Sequence, residues 1–101
     1  MSAESLKILN NFFPYAEKIG LELLQEDRKY LRCLSIGLPP ELLREALKRY
    51  IGHWQSEMRS EPNETKKQGV GRRLANQKIR EFFDYEANSK FAGLDRAKKK
   101  S

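Results

Sequence analysis

At 101 residues, the chain has the length of one compact domain, and a second independent core is not expected. Apolar residues make up 39% of it, charged residues 34%, and the formal net charge is +6, which predicts a modest core under a polar, basic surface. A single cysteine, Cys33, excludes an internal disulfide and a cysteine-based metal or redox motif, and no apolar run approaches the length of a membrane span. We expect a cytoplasmic protein that is not bound to a membrane, with Cys33 as a buried apolar residue.

The first predicted helix covers residues 2–12, with Ser2 as its N-cap and apolar residues at helical spacing. Pro14 is expected to end it, because the proline ring removes a donor and disfavours helix in the residue before it. The same ring suits the first turn of a second helix, predicted to run through Gln25.

Residues 27–36 fit two structures. Their partial alternation of apolar and polar side chains suits a strand in a β-hairpin near 21–36. The residues that follow this segment favour a helix, because Gly37 followed by Leu38 and Pro39 is typical of a helix C-terminus with glycine in the left-handed conformation. A helix is the prediction and the hairpin is the alternative.

Residues 39–58 give the clearest pattern in the chain, with apolar side chains at helical spacing for more than four turns. These apolar positions are Leu42, Leu43, Ala46, Leu47, Tyr50, Ile51, Trp54 and Met58. We expect this to be the core helix, although Gly52 costs about 1 kcal/mol relative to alanine unless another backbone packs closely there.

Within this helix, the sequence LREALKRYIGHW at residues 43–54 is similar to the core helix of the FinO/ProQ family of RNA chaperones. The similarity lies in the leucine, alanine–leucine, tyrosine and aromatic spacing, and in the basic segment that follows. It covers twelve residues, and the strands that flank this helix in that family have no counterpart in the sequence. The resemblance implies RNA as the partner.

After the polar loop at 59–65, Thr65 and Gln68 have the spacing of a capping box, which predicts a basic fourth helix near 66–86 with its regular part beginning near Gly71. A last short helical stretch contains Phe91 and Leu94. Together the patterns predict an all-α fold, a small bundle of four or five helices at 1–94 followed by a basic, frayed tail at 95–101.

The strongest functional signal is residues 66–80, KKQGVGRRLANQKIR, with six positive side chains and no negative one. The six are Lys66, Lys67, Arg72, Arg73, Lys78 and Arg80. Cations at the start of a helix oppose its dipole, so an anion bound there would be stabilising. We predict phosphate contacts from these six, giving affinity rather than base specificity.

Two neighbouring features suit the same use. In QGVGRR, two glycines allow backbone amides to point at a phosphate at the start of the helix. Tyr85 is the candidate for stacking on an unpaired base, and Tyr30 is a second exposed tyrosine.

Catalysis has little support in the sequence. His53 is the one histidine and has no cysteine or second histidine to complete a metal site or a nucleophile and base pair. We therefore expect a noncatalytic protein without a metal or cofactor.

The leading hypothesis is a small regulatory protein that binds nucleic acid, RNA or DNA. The alternative is a protein–protein adaptor or a small subunit, including a self-associating one, that uses an apolar helix face. Attachment to an acidic membrane through the same positive charge, together with Phe91 and Leu94, is a third hypothesis, and it is disfavoured.

Overall fold

The computed structural model describes the backbone of residues 2–100 and the side chains of residues 2–86. Its elements are α1 (Ala3–Lys18), α2 (Gln25–Ser35), α3 (Pro40–Ser60), a 3-10 turn (Glu64–Lys66) and α4 (Lys67–Lys100). The described part of the chain contains no strand. The all-α prediction is confirmed, and the segment at 27–36 is a helix rather than part of a hairpin.

The predicted core helix, α3, lies at the centre of the molecule. It packs along α4 and also contacts α1. Tyr50 and Trp54 are fully buried, and Tyr50 makes aromatic contacts with Trp54 and with Phe12 of α1, at centroid distances of 5.7 and 6.2 Å. Gly52 lies on the exposed side of α3 with open space around it, so α3 continues through it.

The prediction that Pro14 divides two helices is wrong, because α1 continues through it to Lys18. Pro14 is exposed, whereas Phe13 and Ala16 on either side of it are buried. A proline inside a helix costs about 3 kcal/mol. Burial of an aromatic side chain contributes about 1.5 to 3 kcal/mol, so the apolar stripe of α1 offsets the proline.

The left-handed glycine is Gly20, with φ of 100°, and the prediction of that conformation at Gly37 is wrong. At the end of α1, the Leu21 amide donates to the Ala16 carbonyl at 3.0 Å and the Gly20 amide donates to the Glu17 carbonyl at 3.1 Å. This is a Schellman motif, and it turns the chain into an extended connection at 21–24. The predicted second helix through Gln25 is therefore absent, and α2 begins at Gln25 instead.

The expectation that Cys33 is buried is also wrong, because its side chain is exposed. The buried face of α2 consists of Asp27, Leu31, Leu34 and Ser35, and helical geometry turns Cys33 away from it.

Two further expectations concern the membrane and the C-terminus. Among the described residues, no helix combines the length and the apolar character needed to cross a membrane. The predicted boundary between a domain at 1–94 and a tail at 95–101 lies outside the described side chains, as do Phe91 and Leu94.

Candidate nucleic-acid interface

The first turns of α4 are held close to α3 by a glycine. A Cβ added at Gly71 would lie 2.5 Å from Cδ1 of Trp54 and 2.9 Å from its carbonyl oxygen, so only glycine fits there without movement. Gly69, two residues earlier, has open space around it. Both glycines lie inside α4, which begins at Lys67 and thus within the predicted range 66–86, so the regular helix starts before Gly71 and QGVGRR is helix rather than a phosphate loop.

Gln68 does not form the predicted capping box with Thr65. Its side-chain oxygen accepts from Nε1 of Trp54 at 2.9 Å and from the amide of Glu22 at 3.1 Å, and its nitrogen donates to the Gly20 carbonyl at 2.8 Å. The Thr65 amide is instead capped by Asn63. Gln68 thus joins α4 both to α3 and to the connection between α1 and α2.

Arg72, one of the six predicted phosphate contacts, is engaged inside the fold. Its Nε donates to Oδ2 of Asp27 at 2.8 Å, its Nη2 donates to the Glu22 carbonyl at 2.6 Å, and its guanidinium lies 5.3 Å from the Trp54 ring centroid. Asp27 is 4% exposed and also accepts from the amide of Leu24, where α2 begins. Arg72 therefore anchors the start of α2 against α4.

Asn76 continues this contact one turn further. It donates to Oδ1 of Asp27 at 2.9 Å and accepts from the hydroxyl of Tyr50 at 2.7 Å. Burial, together with the charge of Asp27, raises the pKa of Tyr50 far above its ordinary value. We call Gln68, Arg72 and Asn76 the inner polar ladder, because they follow one another at four-residue spacing and fasten α4 to the other helices.

Lys67 is the second predicted contact that the fold uses. Its Nζ donates to the carbonyl oxygens of Met58 and Glu61, both at 2.8 Å, and it lies 3.9 Å from Glu64. A lysine at this place supplies hydrogen bonds to carbonyl groups at the C-terminal end of α3, where the helix lacks its regular donors.

Three other predicted contacts are exposed, with Arg73 and Arg80 on the outward side of α4 and Lys66 in the 3-10 turn just before it. Lys66, Arg73 and Arg80 follow one another at seven-residue intervals, which is close to two helical turns. We call them the outer basic stripe. Arg80 pairs with Asp84 at 3.3 Å, whereas Lys66 and Arg73 have no ion-pair partner among the side chains of residues 2–86.

Arg80 is the member of the stripe with the most defined surroundings. Hydrogen bonds with Tyr30 of α2 and with Asp84 raise the pKa of its guanidinium, which is already charged at all ordinary pH values. The hydroxyl of Tyr30 also lies 3.4 Å from the Asn76 carbonyl, so Tyr30 borders both the stripe and the ladder.

The sixth predicted contact, Lys78, lies on another side of α4, in a groove of about 370 Å³ against α3. His53 and Arg49 of α3 and Tyr85 of α4 also line this groove, together with Glu81 and Glu86. Lys78 pairs with Glu81 at 3.5 Å. Tyr85 is 68% exposed, so its ring is accessible, as the stacking hypothesis requires.

The six side chains therefore do not form one surface. Three are exposed on the outward side of α4 and the turn before it, one lines the groove, and two hold the fold together. The inner polar ladder was missed in the sequence, although its polar residues at 68, 72 and 76 border the apolar stripe at four-residue spacing. No sequence signal pointed to Asp27 as the shared partner of Arg72 and Asn76.

Two further results concern metal binding and similarity to known proteins. Among the described residues, no group of three or more histidine, cysteine, aspartate or glutamate side chains could hold a metal ion. Comparison with known proteins gave no match to a family model, a curated protein or a solved structure.

Proposed function

We propose that this protein is a noncatalytic nucleic-acid-binding protein that contacts phosphates through the outer basic stripe. The observation that carries the proposal is the exposure of Lys66, Arg73 and Arg80 at seven-residue spacing, from the 3-10 turn into α4, in a segment with no acidic residue from 66 to 80. At a rise of 1.5 Å per residue, seven residues span about 10 Å, so the stripe extends about 20 Å along α4. That length suits contact with several phosphates of one strand.

The inner polar ladder supports the same proposal by fixing the position of α4. Because Arg72 and Asn76 meet the buried Asp27, the outward side of α4 faces solvent in a defined orientation. A stripe on a fixed helix loses less conformational entropy on binding than cations on a mobile segment.

Lys78 and Tyr85 form a second, smaller part of the proposal. They lie on the side of α4 that faces the groove, where an unpaired base could stack on Tyr85 while its phosphate meets Lys78. Lys67 and Arg72 contribute to the local positive potential and hold the helix, so their direct phosphate contacts are secondary in this proposal.

RNA is favoured over DNA by the resemblance of residues 43–54 to the FinO/ProQ core helix. A cytoplasmic location belongs to the same proposal. Cell fractionation with an antibody against the full chain would test the location independently of binding.

The test is fluorescence anisotropy with labelled mixed-sequence single-stranded RNA, single-stranded DNA and duplex DNA at several salt concentrations. The three contacts of the outer basic stripe predict a slope of log affinity against log salt near −3 for a duplex, and Lys78 as a fourth contact predicts a slope near −3 for a single strand. All six predicted contacts would give about −5 on a duplex, which would show that Lys67, Arg72 and Lys78 also contact its phosphates.

Two matched triple variants distinguish the effect of the position of the cations on binding from the effect of the net charge. K66Q/R73Q/R80Q and K18Q/K29Q/R59Q each remove three exposed cations, and both change the net charge from +6 to +3. We expect the first to weaken binding at least tenfold and the second less than threefold. Equal losses, or no binding by the unchanged protein at micromolar concentration in low salt, would contradict the proposal.

A further inference from the structure

A second surface lies between α1 and α3, away from the outer basic stripe. It is a groove of about 900 Å³, and no described residue of α4 lines it. Its apolar lining consists of Ile8, Phe12, Tyr15, Leu47 and Ile51. Tyr15 is 54% exposed, and Ile8 and Ile51 are half-buried, so the folded chain leaves apolar surface uncovered here.

Cations border this apolar floor from both helices. Lys7 comes from α1, and Arg44 and Lys48 come from α3. Arg44 pairs with Glu4 at 3.1 Å, and that ion pair joins α1 to α3 at the Glu4 end of the groove. Lys7 and Lys48 have no ion-pair partner among the side chains of residues 2–86, so the border carries excess positive charge.

The chemistry of the groove selects one kind of occupant. Ile8, Leu47 and Ile51 are aliphatic and the Phe12 ring is buried, so the floor suits apolar side chains, and Tyr15 is its one largely exposed ring for stacking a nucleobase. An apolar floor between two helices with cations on both edges is complementary to a helix that has an apolar face and acidic flanks.

We propose that the groove between α1 and α3 binds an acidic amphipathic helix of a partner protein. Its apolar residues, spaced at i, i+4 and i+7, pack against Ile8, Tyr15 and Ile51. Its carboxylates pair with Lys7 and Lys48, and one competes with Glu4 for Arg44. The inference is independent of the proposed function, because it uses helix faces that the outer basic stripe does not touch.

The experiment is a selection from a displayed library of 18-residue helical peptides with randomised surface positions, using the full chain as bait. The charge variant K7Q/R44Q/K48Q serves for counter-selection, and K18Q/K29Q/R59Q is the control with the same net charge. We expect enriched peptides to share an apolar stripe flanked by aspartate or glutamate. Their affinity should fall at least tenfold for K7Q/R44Q/K48Q, severalfold for Tyr15→Ser, and less than twofold for the control.

Circular dichroism of each variant separates lost binding from lost folding, and NMR shift mapping with an enriched peptide locates the contact. Shifts confined to α1 and α3 would support the proposal. It would be overturned by a selection without enrichment, by enriched peptides that lack acidic residues, or by peptide shifts centred on α4. Displacement of the peptide by oligonucleotides would assign the groove to nucleic acid, and a dimer lost in Tyr15→Ser would assign it to a second copy of the chain. Either result would refute a partner helix.

Discussion

The two sides of α4 use the same residue types for opposite purposes. Arg72 donates into the fold and is 22% exposed, whereas its neighbour Arg73 faces solvent. Successive residues of a helix are turned by about 100°, so a run of cations in sequence is distributed around the axis. A one-sided charge pattern in a sequence is therefore not a one-sided surface, and the partner of each cation decides its role.

The largest expected effect on stability distinguishes Asp27 from Asp84, the two carboxylates that pair with arginines of α4. Asp27→Ala should lower the free energy of unfolding by about 3 kcal/mol, because Arg72, Asn76 and the Leu24 amide lose their shared acceptor inside the fold. Asp84→Ala removes the exposed partner of Arg80 and should cost less than about 0.5 kcal/mol. Urea denaturation of both variants is the measurement, and similar losses would show that the two sides of α4 do not differ.

The glycines of α4 give the next comparison. Gly71→Ala should destabilise the protein by about 2 kcal/mol, because the new methyl group overlaps Trp54 and forces α4 away from α3. Gly69→Ala meets open space and should stabilise the protein by about 0.5 kcal/mol through helix propensity. Thermal unfolding followed by circular dichroism would show the opposite signs; a stabilising Gly71→Ala would contradict the close packing.

The neighbouring residues Arg72 and Arg73 can be compared by replacing each with lysine. Arg72→Lys should cost about 1.5 kcal/mol, because one ammonium cannot reproduce the separate Nε and Nη2 contacts or the stacking on Trp54. Arg73→Lys keeps an exposed charge and should change stability by less than about 0.3 kcal/mol. Arg73→Lys should also retain its affinity for oligonucleotides. A tenfold loss of affinity would show that Arg73 forms bidentate hydrogen bonds with a phosphate and does not act through its charge alone.

The smallest effect depends on pH. Tyr50→Phe removes the hydrogen bond to Asn76 and should cost about 1 kcal/mol at pH 7. Because the folded pKa of Tyr50 lies above its unfolded value near 10, the stability linked to its protonation is present below pH 10 and lost as the pH rises above it. The advantage of the unchanged protein over Tyr50→Phe should therefore fall above pH 10, by about 1.4 kcal/mol per pH unit, and reverse sign by about pH 11.

The control for this prediction is Tyr85→Phe, whose ring is largely exposed. It should change stability by less than about 0.3 kcal/mol at pH 7. Urea denaturation from pH 7 to 11 measures both variants. A constant difference between the unchanged protein and Tyr50→Phe across that range would argue against the buried environment of Tyr50.

Some elements could be predicted because their cause is local. The apolar positions of α3 repeat at helical spacing, so the core helix follows from periodicity. The end of α1 has a local signal, a glycine followed by leucine at positions 20 and 21. The same pair occurs at Gly37 and Leu38, and the left-handed helix end was predicted there instead. Pro14 misled the prediction, because burial of Phe13 and Ala16 outweighs the preference of a single residue.

The amino-acid sequence by itself determined the all-α class, the central amphipathic helix and the concentration of positive charge in residues 66–80. These depend on composition and on spacing along one element. The tertiary structure alone decided which of those cations face solvent. Arg72 turns inward because Asp27, 45 residues earlier, lies buried beside α4 and needs a charged partner. Lys66 and Arg73 remain exposed because no other helix covers that side of α4 among the described residues. Pairing between residues so far apart in the sequence depends on how the helices pack, and the periodicity of one helix does not predict it.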